Sequence, residues 1–209
     1  MDSSTTKTAS GSLRKRKKLA TKQALALAAM RLAVERGLKN VRVEDITDAV
    51  KVSRRTFTNY FSCKEEAIAS LSADRFTRAA RALQDRPAGE PLADSLAEAF
   101  AAQHGAATQL EPEQVAPIRM MMTSPALQGE ALKTMVQAEG PLATVIAERT
   151  GADPQGDLHP HVLAAAVMAA VRAATGYWMA TGGAYALPDL IRQAVRQVAA
   201  PRATDNHHR

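Results

Sequence analysis

Apolar residues recur at three- and four-residue intervals along most of this chain, and the recurrences stop at a few glycines and prolines. Over about 18–36, Leu25, Ala28, Ala29, Leu32 and Ala33 make one apolar helical stripe, and Gly37 stands where a left-handed residue would close it. Two shorter helices are predicted next. Val43, Ile46, Ala49 and Val50 mark one over about 43–50, and Val52, Phe57 and Phe61 mark the other over about 53–60. Ser53 follows the turn between them and is placed to accept an amide bond from near Thr56, as an N-terminal cap does. A fourth helix is predicted from near Cys63 towards Arg86, where Pro87, Gly89 and Pro91 interrupt the pattern.

Five further helices are predicted. One covers about 93–107 with Leu96, Ala99 and Phe100 inward, and another about 112–122. Ser124 and Pro125 open a helix that runs towards Thr150, with a kink expected at Gly140 and Pro141. Asp157 or His159 starts a nearly all-apolar helix to about Ala180. Leu187, Pro188 and Asp189 open the last, with Leu190, Ile191, Ala194, Val195 and Val198 inward. No strand and no repeat is legible, so the predicted class is all-α with about nine helices.

The second and third helices are under three turns each and bury little surface alone. Joined by a tight turn they fit a helix-turn-helix, whose second helix lies in the DNA major groove. Arg54, Arg55, Thr56, Thr58, Asn59 and Tyr60 then stand on or near the nucleic acid, with Ser53 at the helix start.

Composition sharpens this picture. At 209 residues, alanine-rich and only 4% aromatic, the chain fits one or two helical domains. No apolar run is expected to reach a membrane span and the N-terminus lacks an apolar signal-peptide core, so a cytoplasmic protein is expected. A single cysteine, Cys63, excludes an intrachain disulfide and a cysteine zinc cluster. The net charge of +6 is unevenly spread: residues 1–62 hold 14 Lys and Arg against 5 Asp and Glu, whereas 63–209 hold 13 against 16. A basic head on a mildly acidic body is the footprint of a phosphate-binding module. The run Leu13–Lys18, LRKRKK, either starts a solvated helix or forms a basic arm whose Arg14, Lys15 and Arg16 reach phosphates or the minor groove. Its position directly before the head favours the arm. The expected domains are a disordered arm over 1–17, the helix-turn-helix over 18–62, a helical ligand-binding and dimerisation domain over 63–200, and a flexible tail over 201–209.

From about Leu25 to Ile68 the residues resemble the TetR family of bacterial transcriptional regulators. The resemblance rests on Gly37, on Val43 with Ile46, on Val52-Ser53, Arg54-Arg55, Thr56 and Phe57, then Tyr60-Phe61 and Lys64-Glu65, all at fixed spacing. Three positions depart from it. Arg42 stands where a Ser or Thr cap is usual and cannot accept the amide bond, although it can grip a phosphate. Lys51 replaces a frequent turn glycine, at about 1 kcal/mol if the residue is left-handed. Cys63 replaces the usual Ser or Asp cap of the fourth helix.

The resemblance implies roles at DNA. Arg54 and Arg55 match guanine O6 and N7, or else contact phosphates; Asn59 pairs with adenine if it faces the groove. Thr56, Tyr60 and Lys64 suit phosphate oxygens, and the Thr58 methyl suits a thymine. Phe57 and Phe61 are core. Two heads one helical turn apart, about 34–36 Å, read a palindrome, so a homodimer is expected, through the last two helices. The resemblance further implies an effector pocket, for which Phe100, His104, Arg119, Met122, Glu139, Met168, Arg172, Thr175 and Trp178 are the candidates, with the flexible run Met120–Met122 shaping its wall. Few charges are expected inward, so the effector is expected to be apolar or amphipathic. No cofactor and no metal is implied: His159 and His161 lack nearby carboxylates, and His207 and His208 sit in the tail. No nucleophile–base motif, glycine-rich phosphate loop or metal-ligand spacing favours an enzyme. The principal alternative is an architectural DNA-binding protein without a ligand response; redox sensing by Cys63 is a minor one.

Overall fold

The computed structural model describes residues 4–104 and 112–200. The expected tail over 201–209, and the end of the helix expected over 93–107, lie outside them. Among the described residues every long element is helical: α1 (Ser4–Arg36), α2 (Val43–Val50), α3 (Arg54–Thr58), α4 (Lys64–Gln84), α5 (Leu92–Ala101), α6 (Pro112–Thr123), α7 (Pro125–Thr150), α8 (Leu158–Ala180) and α9 (Leu187–Ala199). The all-α class and the nine helices therefore stand.

Several boundaries differ from the sequence reading. α1 begins at Ser4 rather than near Lys18, so the segment expected as a disordered arm is helical from that residue. Ala9, Leu13 and the run Arg14–Lys18 are good helix formers, whereas the serines, threonines and Gly11 before them are poorer ones. α5 stops at Ala101 and continues as a short 3-10 turn to His104. Gly140 and Pro141, where a kink is expected, fall inside the helical span of α7. Val198, expected inward, is exposed, and so is Ala49 of the apolar pattern of α2.

The fold divides into two compact units. The first joins Met1–Ser72 to Ala116–Ala131, so it reaches beyond the expected boundary at 62 and takes in the end of α6 and the start of α7. Its core gathers Leu25, Ala29, Ile46, Phe57, Ile68 and Leu127, with Met120 and Met121 packed against it. The Phe57 and Phe61 rings meet at 5.7 Å and 53°, a tilted contact.

The second unit joins Ala73–Val115 to Leu132–Arg209. Leu83, Leu96, Phe100, Leu142, Ile146, Met168 and Ile191 are fully buried in it. Contrary to the expectation that no apolar run would be long enough, α8 has 23 residues and a mean hydropathy of 1.4, enough to cross a membrane by length and composition. Its inward residues Leu163, Val167, Val171 and Trp178 are buried within the unit. Arginines on α9 tie it to α5: Arg192 Nε lies 3.0 Å from both Glu98 oxygens, and Arg196 Nε lies 2.8 Å from Asp94 Oδ1.

Candidate nucleic-acid interface

The turn between α2 and α3 is built from backbone geometry and one hydroxyl. Lys51 takes the left-handed conformation, φ 59° and ψ 47°, which the usual glycine would adopt without strain. Its N–H donates to Asp48 O at 3.1 Å, and the Val52 N–H to Thr47 O at 3.0 Å. Ser53 Oγ then accepts the Thr56 N–H at 3.1 Å, the cap expected from sequence, and its hydroxyl also meets Thr56 Oγ1 at 2.9 Å. Phe57 is the only residue of α3 that is fully buried, while Arg54, Arg55 and Thr58 point to solvent, and so does Asn59 at the helix end. α3 is thus pinned by one aromatic side chain and displays its polar ones.

The residues expected at DNA occupy distinct settings. Arg54 Nη1 pairs with Glu44 Oε1 of α2 at 2.8 Å, an exposed contact. Arg55 is exposed, and its carbonyl accepts the Thr58 hydroxyl at 3.0 Å. Tyr60 is half-buried against the head core. Arg42 is exposed, and its N–H donates to Asp45 Oδ2 at 2.7 Å. An arginine side chain has no acceptor atom, so only this half of a capping box forms. Lys64 is less available than expected: its side chain is 19% exposed and its ammonium donates to Val41 O at 2.7 Å, stitching α4 to the loop before α2. Cys63 takes over the cap at the start of α4, its sulfur accepting the Glu66 N–H at 3.3 Å. Arg14 and Arg16 are exposed on α1, as are Lys17 and Lys18; the side chain of Lys15 lies outside the described residues.

The candidate effector residues do not all come together. Phe100, Met168 and Trp178 are buried in the second unit. Thr175 is half-buried and its hydroxyl is already bonded to Val171 O at 2.9 Å. His104 is partly buried with Nδ1 3.1 Å from Phe100 O, and desolvation, with the Arg75 charge beside it, pushes its pKa down to about 4. Glu139 is half-buried, whereas Arg172 is exposed and points away from the core. Arg119 is exposed and Met122 half-buried, and both belong to the first unit rather than the second, as do Met120 and Met121. Met120 and Met121 meet the apolar core of the head there, which gives these two side chains a packing role. A surface recess of about 380 Å³ in the second unit is bordered by Gln84, Arg86, Glu148 and Arg149 and holds none of the candidates.

Three residues escaped the sequence reading. Glu44 pairs with Arg54. Arg75 is largely desolvated, which lowers its pKa, and it follows Ile68 and precedes Ala79 on one stripe of α4, so periodicity could have found it. Arg149 gathers the end of α4 and the chain after it: it donates to the carbonyls of Leu83 (3.2 Å), Arg86 (2.9 Å) and Pro87 (2.9 Å) and to Ser95 Oγ (3.0 Å). No local signal marked it. Ser95 passes the link to Glu90, whose carboxyl is held down at about 2, first by Arg86 and then by Ser95.

Comparison with known proteins bears on both units. Residues 25–71 match the family model described as bacterial regulatory proteins, tetR family, and residues 90–203 match the MftR C-terminal domain. A curated relative, the HTH-type transcriptional regulator TcmR of Streptomyces glaucescens, is 36% identical over 174 residues, 79% of this chain and 76% of its own. The fatty acid degradation regulator FadR from Bacillus halodurans superposes with a TM-score of 0.54 at 15% identity, over 90% of this chain and 97% of that one. A putative tetR family transcription regulator from Shewanella sp. PV-4 gives 0.52 at 19% identity, over 86% and 96%. At these identities the two structures establish likeness of fold.

Proposed function

The chain belongs to the TetR family of bacterial transcriptional regulators, and from that premise we propose that it is a cytoplasmic homodimeric repressor released from a palindromic operator by a small molecule. The observation that carries the DNA half is the short α3, capped by Ser53 and anchored by Phe57, with Arg54, Arg55, Thr58 and Asn59 exposed on its outer side. Arg54 and Arg55 read guanines or hold phosphates, Asn59 reads adenine, and Ser53, Thr56, Tyr60 and Arg42 lie along the backbone. Lys64 contributes charge while its ammonium holds Val41. The exposed Arg14, Arg16, Lys17 and Lys18, on a helical α1, add phosphate contacts beside the head.

Dimerisation through α8 and α9 is supported by an unfilled apolar face. Leu158, Val162, Ala169, Ala173 and Tyr177 share one side of α8 and are exposed, and Val198 of α9 is exposed as well. Effector binding in the second unit is supported by Phe100, His104, Met168, Thr175 and Trp178, an apolar set with two polar members, which suits an apolar or amphipathic molecule. The effector lowers DNA affinity only as far as it prefers the conformation that binds DNA poorly. α4 spans the division between the units and carries the change.

Selection of duplexes from a random pool tests the proposal. A palindromic motif bound by two chains supports it; uniform retention of all duplexes supports the architectural alternative. On the selected duplex, Arg54→Ala relaxes discrimination at one base step by about 1–3 kcal/mol. Deleting residues 1–18 weakens binding and flattens its salt dependence, and an unchanged slope would show that this segment touches no phosphate.

A further inference from the structure

Residues 1–62 hold 5 acidic side chains against 14 basic ones, and three of the acidic ones lie on α2: Glu44, Asp45 and Asp48. The two in its first turn serve different partners. Asp45 Oδ2 accepts the Arg42 N–H at 2.7 Å and its Oδ1 lies 3.5 Å from Arg36 Nη1, so it closes the start of its own helix. Glu44 reaches out of that helix. Its Oε1 accepts from Arg54 Nη1 at 2.8 Å, at the first position of α3. Both side chains are exposed, Arg54 at 72% and Glu44 at 53%. An exposed pair of this kind adds little to folding stability. What it does is fix one side of the Arg54 guanidinium.

We propose that Glu44 is a specificity-determining residue: it holds Arg54 so that the guanidinium reads a guanine instead of gripping a phosphate. This rests on the regulator reading above and deepens it, since that reading leaves Arg54 both roles. Glu44 takes Nη1, the nitrogen on the side of the Arg54 stem. The other edge, Nε with Nη2, presents parallel N–H groups whose spacing matches the O6 and N7 acceptors of guanine. A carboxylate held this close also makes phosphate an unfavourable neighbour. It repels the phosphodiester anion, whereas the guanine edge is neutral and accepting. Glu44 therefore lowers affinity for every duplex by repulsion and leaves binding strongest where a guanine meets the fixed fork. The start of α3 is the place for such a pair, because a recognition helix meets base edges with its N-terminal residues.

The test selects duplexes from a random pool with the full-length wild type, Arg54→Ala, Glu44→Ala and Glu44→Gln. Glu44 is exposed, so its variants keep the core of the head. Arg54→Ala marks the base step that Arg54 reads. Glu44→Ala is expected to lose about tenfold or more of the guanine preference at that same step. It is also expected to bind a random duplex about two- to fivefold tighter, because a negative charge is gone. In the double variant no further discrimination is lost there, as the two residues act as one. Glu44→Gln keeps an acceptor for Nη1 and is expected to retain most of the preference, with the same gain on random DNA. A pair that merely joins α2 to α3 would change stability and overall affinity and leave the selected motif as it is. An unchanged motif in Glu44→Ala, a change at another base step, or a loss in Glu44→Gln as large as in Glu44→Ala overturns the inference. So does an Arg54→Ala that loses affinity evenly over all bases. A wild type that enriches no motif sinks the regulator reading and this inference with it; a wild-type motif that Glu44→Ala reproduces sinks the inference alone.

Discussion

The two units of this protein are held by different kinds of contact. In the first, polar links are mostly short in sequence: Ser53 to Thr56, Arg42 to Asp45 and Ser62 to Glu66 span three or four residues. Apolar side chains, with Phe57, Ile46 and Leu25 at the centre, do the long-range work. In the second, charged side chains also reach far along the chain. Arg149 meets the carbonyl of Leu83, and Arg192 and Arg196 meet Glu98 and Asp94. A head that must present a rigid α3 is set by packing, whereas the larger unit is laced by guanidinium groups.

That contrast can be broken in order of size. Phe57→Ala should cost the first unit about 3–5 kcal/mol and abolish DNA binding, while the Trp178 fluorescence midpoint of the second unit stays near wild type. Arg149→Met should cost the second unit about 2–3 kcal/mol, because three carbonyls and Ser95 lose a charged donor, and the Trp178 midpoint in urea should fall accordingly. His104 gives the second unit a pH dependence of known sign. Its folded pKa of about 4 lies below the ordinary 6.5, so between those values the unfolded chain binds the extra proton. Stability is therefore full above about pH 6.5 and declines as pH falls towards 4; His104→Phe should remove that slope in urea titrations. Glu90 acts lower, its contribution present above about 4.5 and lost as pH falls to about 2. The smallest effect belongs to the head: Lys51→Gly should raise its melting stability by at most about 1 kcal/mol, since φ 59° suits glycine better than lysine.

The head was largely legible in the sequence because its determinants are local. Val43, Ile46, Phe57 and Phe61 give the period, Ser53 the cap, and Lys51 the site of a left-handed turn. Where tertiary contacts decide, the reading missed. Met120 and Met121 look like the wall of a cavity in a linear chain, yet Leu127 carries their segment into the head core. Arg172 and Arg119 sit among apolar neighbours in sequence but fall on outward helix faces. Arg149 reads as one arginine near a helix end, and only the fold brings Leu83, Pro87 and Ser95 to it. α1 begins earlier than expected because a start rich in Ser, Thr, Gly and Lys with almost no apolar residue reads as disorder, yet it is helical from Ser4.

The most direct measurement is one ratio: the affinity of the full chain for its selected palindromic duplex against a random duplex of equal length, at one fixed salt concentration. Recognition by paired helix-turn-helix heads predicts a preference of about a thousandfold or more, with two chains on each bound duplex. A ratio near one, or binding by single chains, would contradict it.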